Sequence, residues 1–321
     1  MKILDKAIHQ LTIPTPFAVG DVHMYLIKGD VLSLVDAGVK TKEAWETLQS
    51  QLKDLGYYPN DIEQIILTHH HPDHIGLIEQ FPRAQHIIAH KNVDPWIIRN
   101  EQFFKHHEHF FKKFFNACGI PSHFDNVLKE MRKSLQYAGA GKVTKAINEG
   151  DLLPGHKDWK VIETKGHAQS HLSFFRKNDG TFIGGDHLLH HISSNPILEP
   201  PYAGETERTK PLLQYRDNLK KCLSLGIKTV LPGHGKSFSD VEALIPARLQ
   251  SQEQRANKVH SLLRTEGILT PFQICQHLFP KHYVTQLDLT MSETIGQLDF
   301  LEQQNKVDQL VEDGVHFYRA K

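Results

Sequence analysis

The chain has 321 residues, and its 37 Lys+Arg are balanced by 37 Asp+Glu. That length suits one large domain plus a small one, and the neutral balance supplies no global field for nucleic acid or an anionic membrane surface. No apolar run is long enough to cross a bilayer, and three scattered cysteines (Cys118, Cys222 and Cys275) exclude a disulfide framework or a cysteine-based zinc site.

The opening residues, MKILDKAIHQLTIPTP, contain no continuous apolar stretch, so a signal peptide is not expected and the cytoplasm is the expected compartment. Ile8 to Ile13, Met24 to Lys28 and Val31 to Val35 read as short strands, broken by Pro14, Pro16, Gly20 and the turn Gly29-Asp30. The third runs into Val35-Asp36-Ala37-Gly38, a strand-end turn. Ala44, Leu48 and Leu52 recur at helical spacing and predict an amphipathic helix.

The apolar run Ile65-Ile66-Leu67 reads as a buried strand, and the loop leaving it carries the densest chemistry in the chain. That loop is Thr68-His69-His70-His71-Pro72-Asp73-His74-Ile75-Gly76, with His69, His71, Asp73 and His74 in a His-x-His-x-Asp-His pattern. Imidazole and carboxylate at this density suit zinc, iron or manganese. Residues so close in sequence wrap poorly around one ion. Dividing them is easier, with His69 and His71 toward one ion and Asp73 and His74 toward a neighbour. The bland alternative is a His-rich surface loop in a chain with 23 His.

This loop resembles that of the hydrolase branch of the metallo-β-lactamase superfamily, and the resemblance covers about residues 1–250. It implies an α/β fold, the αββα sandwich: two mixed sheets packed face to face, helices outside and metals at one edge. It also implies three further ligands at strand ends, namely a lone His, a bridging Asp and a last His. By position in the Val-Asp-x-Gly turn, Asp36 would steady the metal loop.

After a strand at His86 to Ala89, residues 97–148 break the rhythm. Phe103, Phe104, Phe110, Phe111, Phe114 and Phe115 recur at helical spacing, followed by Phe124, Val127, Leu128, Met131 and Leu135. A helical insertion is expected, its aromatic stripe most simply a packing face, with a lid lining an acyl pocket as the functional alternative. His106, His107 and His109 on that helix are expected at the solvated surface.

Three later segments offer the remaining ligands. In Thr164-Lys165-Gly166-His167-Ala168-Gln169-Ser170-His171, His167 matches the lone His, although Lys165 and Ser170 depart from the family's Pro and second Gly. His171 is expected in a supporting place only. Phe182-Ile183-Gly184-Gly185-Asp186-His187 ends a strand with glycines and a carboxylate, so Asp186 fits the bridge. His187, His190 and His191 could approach a substrate, but an ordinary loop explains them as well. Val230-Leu231-Pro232-Gly233-His234-Gly235 resembles the last ligand turn, with His234 as ligand.

The implied centre has His69, His71 and His167 on one metal, Asp73, His74 and His234 on the second, and Asp186 on both. Two ions, zinc by preference with iron or manganese as alternatives, would lower the pKa of bound water and polarise a substrate oxygen. Asp73 or Asp186 would orient the attacking water. The expected activity is hydrolysis of a small acyl ester, thioester or lactone. The alternatives are a phosphodiesterase or nuclease, a mononuclear iron oxygenase of the persulfide type, and a non-catalytic metal-binding module.

Residues 251–321 read as a small winged-helix-like domain. Ala256, Val259, Leu262 and Leu263 mark one helix, Thr270-Pro271 caps a second, and Thr290-Met291-Ser292-Glu293 reads as the capping box of a third. A hairpin turning near Asp313-Gly314 follows. With seven Lys+Arg against nine Asp+Glu from residue 250 on, packing, homodimer formation or roofing the site fits better than DNA reading. A small molecule is the expected partner.

Overall fold

The computed structural model describes residues 2–5, 7–124 and 126–321. The N-terminal strand-rich run folds as β1 (Lys2–Asp5), β2 (Ile8–Ile13), β3 (Val22–Lys28) and β4 (Leu32–Val35), joined as antiparallel neighbours. Helix α1 (Lys42–Asp54) is capped by Thr41, whose side chain accepts from the Ala44 amide, and it buries Ala44, Leu48 and Leu52 as its periodicity requires. Three parallel additions, β5 (Gln64–Ile66), β6 (His86–Ala89) and β7 (Lys145–Ala146), complete a mixed seven-stranded sheet. Between them lie the short helices α2 (Pro72–Ile75) and α3 (Asp94–Ile97) and the longer α4 (Glu101–Ala117) and α5 (Asn126–Ser134).

The second sheet contains β8 (Leu152–Leu153), β9 (His156–Glu163), β10 (Leu172–Arg176), β11 (Thr181–Gly185) and β12 (Thr229–Pro232). Helices α6 (Pro211–Leu223) and α7 (Val241–Glu266) cover its outer face. The chain ends with α8 (Pro271–Leu278), α9 (Leu287–Gln303) and the hairpin β13 (Val307–Glu312) and β14 (Val315–Ala320). No described helix is long and apolar enough to cross a membrane.

The layers follow from which residues are buried together. Tyr25, Val35, Ile66 and Ile88 of the first sheet meet Val161, Leu172, Phe174, Ile183 and Leu231 of the second, which forms the core between the sheets. On the far side of the first sheet, Leu11, Met24, Leu34 and Ile65 pack against α1. On the far side of the second, Phe175, Phe182 and Val230 pack against Tyr215 and Leu219 of α6 and Ile245 of α7. The fold is therefore the αββα sandwich.

Outside the sandwich is a further core. Phe111 and Phe115 of α4 share it with Leu212, Ala256, Val259, Phe272, Ile295, Leu298 and Tyr318. Phe110 and Phe114 are partly buried against the same cluster. The insertion's aromatic stripe thus packs on the C-terminal helices and hairpin. The side chain of Met131, part of the expected stripe, lies outside the described residues.

Two expected boundaries shift. The division at residue 250 falls inside the continuous α7, and the insertion expected to reach residue 148 ends in β7, an edge strand of the first sheet. The expected capping box at Thr290 is also corrected, because α9 already starts at Leu287 and the box lies inside it. The Thr290 hydroxyl donates back to the carbonyls of Gln286 and Leu287, a bond open to helix-interior Ser and Thr. Glu293, the supposed partner of the box, pairs with Arg255 of α7 and accepts from Gln297. Several polar residues along the buried α9 are answered by partners: Asp299 takes a two-pronged bond from Arg208 at 2.6 and 2.9 Å.

Candidate metal centre

Strand register brings the chemistry to one edge. Parallel pairing aligns Val35 with Ile66, so Asp36 and the loop after β5 leave the first sheet side by side. In the second sheet, Gly185 pairs with Pro232 across the parallel β11 and β12, so Asp186 and His234 also emerge together. The β9–β10 connection bearing His167 turns at this same edge, because Leu172 pairs with Glu163. Backbone bonds tie the two edges: the Leu172 amide donates to Thr68 O at 2.8 Å, and the His23 amide donates to Gly233 O at 2.7 Å.

The structure gathers all seven expected side chains. Ligand-competent atoms fall into three groups: His69, His71 and His167; His69, His74 and Asp186; Asp73, His74 and His234. His71 Nδ1 lies 3.0 Å from His69 Nε2 and 2.9 Å from His167 Nε2. His234 Nε2 is 3.2 Å from Asp73 Oδ2, and Asp186 is 3.5 Å from each of His74, His167 and His234. Asp186 lies within reach of both sides, near His167 on one and near His74 and His234 on the other. Gly233 leaves room for this: a Cβ there would collide with Asp186 Oδ1.

Outer partners set which nitrogen faces inward. His74 Nδ1 bonds Asp36 Oδ2 at 2.8 Å, His167 Nδ1 bonds Asn195 O at 3.0 Å, and His234 Nδ1 bonds Asp21 O at 2.8 Å. With carbonyl or carboxylate acceptors on Nδ1, each Nε2 lone pair is left for the cluster. Asp36 does more than hold His74. It also accepts from the Thr68 amide at 2.7 Å and hydroxyl at 2.8 Å, and takes a left-handed φ of +61° to do so. His171 points away from the cluster centre, where its Nε2 accepts from the Asp186 amide at 3.0 Å and its Nδ1 meets Thr164 Oγ1 at 2.8 Å.

The cluster is electrically divided. Burial, then its neighbour His167, lowers His71 to about 3, and burial likewise holds His69 and His167 down as neutral imidazoles. Burial also opposes charge on His74, yet Asp186, Asp36 and Asp73 outweigh it and raise the group well above its ordinary value. Burial alone would raise Asp186, but His234 and His74 pull it well down. His74 Nε2, His234 Nε2 and Asp186 Oδ1 are buried without a hydrogen-bond partner. Buried polar atoms are seldom left so. Orphaned donors of nitrogen and oxygen type, without sulfur, facing one another at these spacings, fit divalent cations.

The remaining histidines diverge from expectation at one position, on α4. His107 is not at the solvated surface: it packs 4.7 Å from the Phe111 ring and 5.5 Å from Trp96, and burial lowers it to about 4. His187 is fully buried beside Tyr215, whereas His190 is exposed and pairs with Asp240 at 3.2 Å. Sequence reading passed over a wall of the site. The His70 ring stacks on Trp96 at 4.1 Å, Trp96 Nε1 donates to Tyr202 at 2.9 Å, and Tyr202 donates to Glu199 at 2.6 Å. Glu199 in turn accepts from the Gln169 amide at 2.7 Å, two residues beyond His167. No local pattern marks Glu199. Its buried position follows from tertiary packing alone.

A sandwich with a buried histidine–carboxylate cluster at one sheet edge defines a metallo-β-lactamase-like metalloprotein. The chain belongs to the metallo-beta-lactamase superfamily, whose family model matches residues 18–234. It is 42% identical over 310 residues, 97% of each chain, to the probable metallo-hydrolase YqjP of Bacillus subtilis (strain 168). In fold it is similar to a metallo-beta-lactamase family protein from Thermus thermophilus, with a TM-score of 0.82, 24% identity and coverage of 99% of this chain and 100% of that one. A beta-lactamase domain protein from Burkholderia ambifaria is also similar, with a TM-score of 0.80, 21% identity and coverage of 99% and 93%. Both likenesses extend past the family match into the C-terminal helices and hairpin.

Proposed function

We propose that this metallo-hydrolase of the superfamily cleaves a small ester-like bond (acyl ester, thioester or lactone) with two divalent ions, zinc by preference. His69, His71 and His167 would hold one ion, Asp73, His74 and His234 the other, and Asp186 both. Bound there, divalent cations would lower the pKa of water toward neutrality and polarise the scissile carbonyl. The protein's own groups supply position: Asp36, Asn195 and Asp21 orient the imidazoles, and the carboxylates of Asp73 and Asp186 would orient the attacking water.

One observation carries this reading: three ligand-competent groups, chained through His69 and His74 with Asp186 in the middle one, lie at the end of a cavity of about 770 Å³. A mononuclear centre would need only one of them. The test pairs metal analysis with kinetics. Well-loaded protein is expected to hold two equivalents, to cleave ester, thioester or lactone substrates equally with and without oxygen, and to recover activity on reloading with zinc or manganese. Asp186→Asn keeps the shape and removes the negative charge that would bring two cations close together, with an expected activity loss of ~10- to 100-fold or more. One equivalent of metal, with activity that needs iron and oxygen, would replace the hydrolase reading by the oxygenase one.

A further inference from the structure

The cavity over the cluster is lined by Asp73, His71, His167, Asp186 and His234 at its metal end. Its walls come from segments far apart in sequence. Phe104, Leu128 and Leu135 belong to the helical insertion, Leu198 to the loop after β11, and Leu287 and Leu289 to the start of α9. A volume of about 770 Å³ is that of a site for a whole small molecule.

Charge decides what that molecule carries. Among the described residues lining the cavity, Arg132 is the one lysine or arginine. Its guanidinium is already committed, bonding Glu108 at 2.8 Å and both carboxylate oxygens of Glu101 at 2.8 Å. The other acidic residues of the wall are Glu108, which is paired with Arg132, and Glu199 and Asp288, whose carboxyls burial pushes up, and His107 is held neutral by burial. An anion placed against these walls would lose its hydration without gaining an uncommitted lysine or arginine among the described lining residues. An alkyl chain placed there would leave water for apolar contacts.

We propose that this cavity is an acyl-chain site: it takes an uncharged, apolar acyl group, with the scissile carbonyl at the metal end, and disfavours acyl groups bearing a second charge. The proposal rests on the hydrolase reading for its chemistry and on the wall for its selectivity. Each methylene buried in the wall is worth about fourfold in kcat/KM until the wall is filled.

The test uses the metal-loaded full chain and p-nitrophenyl esters from acetate to octanoate, with the p-nitrophenyl monoester of adipate as a charged acyl group. Expected is a rise of about fourfold per methylene along the neutral series and no such gain for the adipate. Val284→Arg adds a cation at a lining position that is 58% exposed, so folding is not at stake. It should lower the octanoate-to-acetate ratio and raise the adipate-to-hexanoate ratio. Binding of octan-1-ol, followed by tryptophan fluorescence through Trp96, reads the wall without any turnover. A flat chain-length series with no octanol binding would overturn the acyl site and leave the hydrolase reading standing. Octanol binding with no ester, thioester or lactone cleaved would do the reverse.

Discussion

Glu199 is 3% exposed, and burial holds its carboxyl up at about 7 against an ordinary 4.5. The folded protein therefore keeps this proton more tightly than the unfolded chain does. As pH rises from about 4.5 the unfolded state gains by ionising, so the contribution of Glu199 to stability declines up to about pH 7 and is level above it. Glu199→Gln preserves an acceptor for the Gln169 amide and removes the titration. Thermal melts across this window should show the wild type losing ground to the variant as pH rises. Parallel pH profiles for the two proteins would show that Glu199 ionises freely in the fold. At this scale the legible residues are those whose meaning is local. The spacing of His69, His71, Asp73 and His74 speaks for itself, and so does a carboxylate behind two glycines at Asp186. His107, Glu199 and Asn195 take their places from distant partners, and a linear pattern cannot show those.

The insertion and the C-terminal helices share a core, and the loop after β11 connects that core to the cluster. Asn195 is the joint: its backbone carbonyl accepts His167 Nδ1, while its side-chain Nδ2 donates to Leu289 O at 3.3 Å. Nearby, the Leu198 amide donates to Ser292 Oγ at 3.1 Å. Asn195→Ala keeps the carbonyl and releases the tie to α9. The expected outcome is a ~10-fold weaker ion at the His167 side with the ion at His234 unchanged, resolved as two phases in a cobalt titration followed by absorbance. Equal weakening of both ions would point to general loosening instead. The spacing of Ala44, Leu48 and Leu52 locates α1, the Thr270-Pro271 cap locates α8 and the Asp313-Gly314 turn locates the closing hairpin, where local signals and tertiary packing agree. The capping-box signature misplaces the start of α9 because a Thr-x-x-Glu pattern reads identically whether its hydroxyl caps a helix or bonds back inside one. The run of α7 through residue 250 was hidden for a similar reason: its two halves bury faces in two different cores.

On the scale of the molecule, neither sheet owns the centre. His69, His71, Asp73 and His74 leave the first sheet, whereas His167, Asp186 and His234 leave the second. Their order along the chain was legible, since each stands at a strand end. The division between sheets was not, because pairing β11 with β12 depends on which strands meet across the sandwich.

That split supply has a kinetic consequence. A cation can find its full set of donors only after the two sheets have docked, so metal capture belongs late in folding, downstream of the rate-limiting barrier. Loading should then act as a latch that slows escape from the native state and leaves the speed of arrival unchanged. In chevron measurements with zinc or with a chelator, the refolding limbs should superimpose while the unfolding limb drops in the presence of metal. A metal-dependent refolding limb would mean that the donors of the first loop recruit an ion before the second sheet arrives, and that the ion guides the sandwich together.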